Sequence, residues 1–197
     1  MYSRSIQNLI DAFSNLPSVG ERTAERYVFY LLKSGKKDAG ELALALKELL
    51  EQVKSCETCW DFADSSPCQI CADKNRDHST VCVVADSQDL QAIEKTRTYN
   101  GTYHILRGVI KPNDDEQESM KIKELLTRIN EGADEVIFAL NPDLDGENTM
   151  MFLQNKIKKI NDKVKITRLA RGLPMGSDLQ YADEITLENA LKNRVKS

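Results

Sequence analysis

Four cysteines carry the most specific chemistry in this sequence. Cys56 and Cys59 make one C-x-x-C pair, Cys68 and Cys71 make another, and eight residues separate the two. Zinc takes four ligands at the corners of a tetrahedron, and each short C-x-x-C turn can aim two thiolates at one point. A pair of disulfides would need an oxidising compartment. A thioredoxin-type redox site would use one such pair, not two. The spacing therefore predicts one structural Zn²⁺ held by Cys56, Cys59, Cys68 and Cys71. With every corner filled by protein, no position is left for water, so the ion should staple the chain and do no catalysis. The fifth cysteine, Cys82, lies within the apolar run Val81–Val84 and reads as a packed thiol in a strand.

A second group is acidic. Asp143, Asp145 and Glu147 follow the apolar run 136–140. Three hard carboxylates after a strand could hold Mg²⁺ for work on phosphates. The same residues suit an ordinary helix start, where negative charge meets the helix dipole. A third group is basic. Between Asn15 and Lys37 lie five basic residues, Arg22 and Arg26 among them, against two acidic ones. Arg22 and Arg26 are four apart, so one helix face would present both to a backbone phosphate. From Lys156 to Arg171 seven basic residues accompany one acidic residue, Asp162. A solvated helix face explains most of that run, but Arg171, beside Gly172 at a strand end, stands apart. His78 and His104 have no partner at ligand spacing and read as structural.

These groups need a frame. Ile6, Leu9, Ile10 and Phe13 recur at helical spacing, then Pro17 and Gly20 punctuate a turn, then Ala24, Tyr27, Val28, Leu31 and Leu32 mark a second helix. Such a hairpin offers backbone N–H groups at a helix N-terminus, suited to a phosphate; it is equally the form of a plain helical hairpin with solvated arginines. A third helix is expected over 39–54, with Leu42, Leu46, Leu49, Leu50 and Val53 on its buried side. Beyond the cysteines, four apolar runs at 81–84, 103–106, 136–140 and 164–169 alternate with helical patterns, the last of these over 147–160. That alternation calls for a mostly parallel sheet covered on both faces, with functional loops beyond the strand C-terminal ends.

The 197 residues are 41% hydrophobic and 29% charged, with net charge −4. Overall acidity does not announce a nucleic-acid binder, so any such role must rest on a local basic patch. No run of eighteen apolar residues occurs, and the first residues lack a basic region followed by an apolar core. Neither a membrane span nor a signal peptide is expected, and the thiols should stay reduced in a cytoplasm.

The stretch from Leu16 to Arg26 resembles a helix-hairpin-helix DNA-binding motif, with Ser18 where the motif has its first glycine. The serine suits a backbone position that is not left-handed. The α/β part resembles a Toprim domain, the module shared by topoisomerases and bacterial primases. Asp143 and Asp145 match its D-x-D, but Ala85 stands at the place of its strand-end glutamate, with Asp86 and Asp89 nearby. Without that glutamate, acid–base work on a phosphodiester loses a participant.

The order of these modules, with the segment from Ala170 to Glu184 after them, resembles the RecR family of bacterial recombination proteins over essentially the whole chain. The resemblance implies a helical DNA-binding part over 1–54, a zinc finger over 56–71, a Toprim domain over 80–175 and an assembly segment over 176–197. It implies a protein that binds double-stranded and gapped DNA without enzymatic activity, works with RecO and RecF, and helps load RecA. It also implies a ring-like homotetramer, associated with the nucleoid in the cytoplasm and not with a membrane. On this reading Arg22 and Arg26 line an inner surface. Asp143, Asp145 and Glu147 form a partner-binding or vestigial acidic site, and Mg²⁺ is not required. A Mg²⁺-dependent Toprim nuclease or nicking enzyme, and a zinc-stapled scaffold that binds only proteins, are the competing expectations.

Overall fold

The computed structural model describes residues 2–111 and 120–195, so parts of the segments 1–54, 80–175 and 176–197 lie outside it. The chain forms two compact units, Met1–Val53 and Lys54–Ser197.

The first unit is helical: α1 (Arg4–Ser14), α2 (Glu21–Ser34) and α3 (Lys36–Gln52). Ile10, Ala24 and Val28 are its buried side chains, with Ile6, Phe13 and Val19 packed around them. Gly35 separates α2 from α3 at φ 100°, a conformation open to glycine and costly for other residues. α3 overturns one sequence expectation. It begins at Lys36 rather than Ala39, and among the described residues it buries none of its own side chains. Leu46, Leu49 and Leu50 are exposed. The helical period groups these leucines, but a period cannot say whether anything within the chain covers them.

The second unit begins with a short ribbon, β1 (Lys54–Ser55) paired antiparallel to β2 (Phe62–Ala63), and a single helical turn, α4 (Gln69–Ala72). A four-stranded sheet follows: β3 (Asp77–Val84), β4 (Gly101–Ile105), β5 (Glu135–Ala139) and β6 (Lys165–Arg168). Its order is β4-β3-β5-β6 with every pair parallel. Helices α5 (Ser87–Glu94), α6 (Ile122–Gly132) and α7 (Leu144–Ile160) make the crossovers, and α8 (Glu184–Lys192) lies near the C-terminus.

The two-residue period of β3 sorts the core into layers. Val81 and Val83 join Leu125 and Ile129 of α6 and Leu153 and Ile157 of α7. Cys82 and Val84 face the other way, toward Leu90 of α5, Tyr103 and Ile105 of β4, and the four zinc-motif cysteines. The cysteine motif is thus part of a core layer. It also covers a sheet edge. The Ile105 N–H on β4 donates to the Cys59 carbonyl at 2.8 Å, and the Arg128 guanidinium donates to the Tyr103 carbonyl. An unpaired edge would otherwise leave these groups open to another strand.

Candidate zinc centre and nucleic-acid interface

The ribbon and the turn of α4 deliver the four cysteines to one point. The Trp60 N–H donates to the Cys56 carbonyl at 2.9 Å and the Cys56 N–H to the Asp61 carbonyl at 2.8 Å, closing the first knuckle. Cys68 caps α4, and Cys71 lies within it. All four are buried and their sulfurs lie within 4.8 Å of one another. The Cys59 and Cys68 sulfurs are 3.6 Å apart. Zn–S bonds of about 2.3 Å in a tetrahedron require sulfurs about 3.8 Å apart, so the residues fit the ion. The Cys68 N–H points at the Cys56 sulfur, 3.3 Å away. Burial pushes the Cys56 thiol up, but N–H groups of Cys59, Cys68 and Thr58 outweigh it and bring it down to about 7. None of the cysteines is in a disulfide. Cys82 stays apart as a packed thiol, pushed up to about 12 by burial.

At the sheet's C-terminal end, α7 starts at Leu144, three residues earlier than the apolar period indicated, because Asp143 caps it. The Asp143 carboxylate accepts the Gly146 N–H at 2.8 Å. A side chain at position 146 would strike the Asn141 carbonyl oxygen, 2.1 Å from where its Cβ would sit, so this tight turn requires glycine. Asp145 and Glu147 fall in the first helical turn. Glu147 is ion-paired with Arg171 and, at 3.7 Å, with Arg168. Among the described residues, the cysteines are the one group of three or more potential ligands close enough to share an ion; the three carboxylates do not converge in that way. Ala85 is buried at the end of β3. Asp86 and Asp89 are occupied in a reciprocal capping box at the start of α5.

In the helical unit, Arg22 and Arg26 are both exposed on α2. Gly20 caps that helix in an extended conformation, and a Cβ there would meet nothing within 4 Å. Neither backbone strain nor packing within the chain demands that glycine. Ser18, in contrast, adopts φ 64°. The position is left-handed after all, and a non-glycine residue there costs roughly 1–2 kcal/mol.

Sequence reasoning missed Arg107. Its side chain donates to the Trp60 carbonyl at 3.2 and 3.1 Å and to the Ser55 hydroxyl at 2.6 Å. Nothing local in the sequence marks it.

A helical hairpin, a four-cysteine finger and a parallel α/β unit with a D-x-D turn together define a zinc-finger Toprim protein with a helix-hairpin-helix module. Family models agree along the chain: RecR helix-hairpin-helix over 6–50, the RecR four-cysteine zinc finger domain over 53–73, Toprim domain over 79–170, and RecR C-terminal over 172–195. The chain is 46% identical over 195 residues to the recombination protein RecR of Bifidobacterium adolescentis, covering 98% of this chain and 96% of the relative. It is 45% identical to that of Moorella thermoacetica, covering 98% and 97%. The chain belongs to the RecR family, and its cysteines form that family's four-cysteine zinc finger.

Proposed function

We propose that this chain is a recombination protein that binds DNA as a clamp in gap repair and performs no chemistry on it. One observation carries the non-catalytic part: the glutamate a Toprim enzyme would use is missing, and two of the three carboxylates in the acidic turn are already engaged. Asp143 caps α7, Glu147 is held by Arg171 and Arg168, and Ala85 stands at the glutamate position. Asp143, Asp145 and Glu147 then serve partner binding, with RecO and RecF as the partners that family membership suggests. Family membership also suggests a cytoplasmic role. Among the described residues no helix is long and apolar enough to cross a membrane.

DNA contact is assigned to Arg22 and Arg26, with backbone N–H groups beside Gly20 approaching a phosphate. Contacts of this kind are sequence-independent and weaken with salt. Zn²⁺ on the four cysteines supplies rigidity to the second unit and takes no part in a reaction. The uncovered leucines of α3 and the exposed Leu179, Tyr181, Ile185 and Leu191 near the C-terminus suit assembly at both ends of the chain, as a ring of four requires.

The test is gapped DNA incubated with protein and Mg²⁺, then run on native and denaturing gels. A salt-sensitive shift with intact strands is expected, and Arg22→Ala with Arg26→Ala should weaken it at least about tenfold with the fold retained. Cut strands that vanish with Asp143→Asn would instead establish a Toprim nuclease.

A further inference from the structure

The zinc finger turns an aromatic ring outward and a carboxylate inward. Phe62 is 59% exposed on β2, while its neighbour Asp61 is 7% exposed with one carboxylate oxygen accepting the Phe62 N–H. The buried aspartate beside an exposed phenylalanine reverses the usual placement of the two side chains. The ring is not left bare by accident of a loose loop. The Arg107 guanidinium carbon sits 4.5 Å from the Phe62 centroid and 5.9 Å from that of Trp60. Its hydrogen bonds to the Trp60 carbonyl and Ser55 hydroxyl lock it there. The Lys121 ammonium lies 4.3 Å from the Trp60 centroid and shares its charge with Glu124 at 3.3 Å. Among the described residues the hydrogen-bond partners of Arg107 are neutral.

Trp60 and Arg107 are also both left-handed, at φ 67° and 63°. Non-glycine residues held in that region cluster where a site needs a side chain aimed in one direction. Here the two strained residues are hydrogen-bonded to each other.

We propose that Phe62 and Trp60, backed by Arg107 and Lys121, form a stacking platform for unpaired bases of single-stranded DNA. The inference deepens the DNA-binding reading above and rests on it. Here Phe62 is exposed and Trp60 half-buried; aromatic rings held beside fixed cations are the means by which proteins hold single strands without reading sequence. Bases inside a duplex are already stacked and cannot reach the rings, so this surface selects an unpaired strand, and duplex contact stays with Arg22 and Arg26.

Trp60 is the only tryptophan in the chain, so its fluorescence reads this site alone. Zinc-loaded full-length protein would be titrated at low salt with oligo(dT), an abasic oligomer of the same length, and a duplex. Oligo(dT) should quench Trp60, and the abasic strand should not. Phe62→Ala and Phe62→Leu, with zinc content and circular dichroism unchanged, should each weaken oligo(dT) binding at least about fivefold, the duplex titration being the control. Equal quenching by the abasic strand, or oligo(dT) binding that neither quenches Trp60 nor responds to both variants, overturns the platform while duplex binding stands. Failure of every DNA to bind would overturn both the platform and the clamp reading.

Discussion

His104 is wholly buried on β4, and its chemistry is set by that position. One ring nitrogen, Nε2, donates to the Lys121 carbonyl at 2.8 Å, and Nδ1 has no partner among the described residues. Burial, with the Arg128 charge adding to it, pulls the imidazole down from 6.5 to about 4, against the Lys121 carbonyl and Glu124, which act the other way. The unfolded chain takes up this proton near pH 6.5 and the folded chain only near pH 4. Between those values the unfolded state binds more protons, so stability is full above the window and falls as pH drops through it, by about 3 kcal/mol across the whole range. His104→Leu removes the proton site. Urea unfolding of zinc-loaded protein at about pH 7.5 and about pH 5 should show the wild type losing about 2 kcal/mol more than the variant. Equal losses would mean that the ring is not held neutral. The sequence marked His104 only as a histidine without ligand spacing. Its burial depends on an edge strand being covered, which is a tertiary fact.

At the scale of elements, the finger is too slight to stand unaided. Strands of two residues and one helical turn form too few hydrogen bonds to offset the entropy of ordering them. Zinc held by the four cysteines would supply the difference, and because the Ile105 N–H donates to the Cys59 carbonyl it would also hold the edge of β4. Chelation, or Cys56→Ser, should lower the thermal midpoint by several degrees and speed amide exchange at Ile105. An unchanged midpoint with unchanged exchange would make the sheet independent of the metal. The cysteine spacing was legible because a knuckle is local, and the strand–helix alternation was legible because apolar period reports it. The docking of finger on sheet was not. Arg107 reaches Trp60 and Ser55 from 47 and 52 residues away, and no window along the chain contains such a pair. The start of α7 was misplaced for a smaller reason: Asp143 acts as a cap, and a cap extends a helix beyond its apolar stripe.

At the scale of the whole molecule, a chain of net charge −4 must gather its cations locally to hold DNA, and the proposed assembly would do so. The helical unit is short, and Ile10, Ala24 and Val28 are the side chains it buries fully. Domains this small are marginal on their own burial. A groove of about 390 Å³ between Leu9, Phe13, Leu16, Leu31, Leu42 and Leu46 leaves apolar surface that a second copy of the same face would remove from water. The amphipathic pattern of α3 signalled burial, and the self-association proposed above would supply it from outside the chain. Leu46→Glu places a charge on that face, and an unpaired buried carboxylate is costly enough to open an interface. Sedimentation should then show a smaller assembly than the wild type, with circular dichroism and zinc content unchanged. DNA binding should weaken although Arg22 and Arg26 are intact, because a clamp's hold depends on closure more than on any single phosphate contact. A variant with wild-type mass would remove α3 from the interface, and one that is smaller but binds DNA equally well would separate binding from the ring.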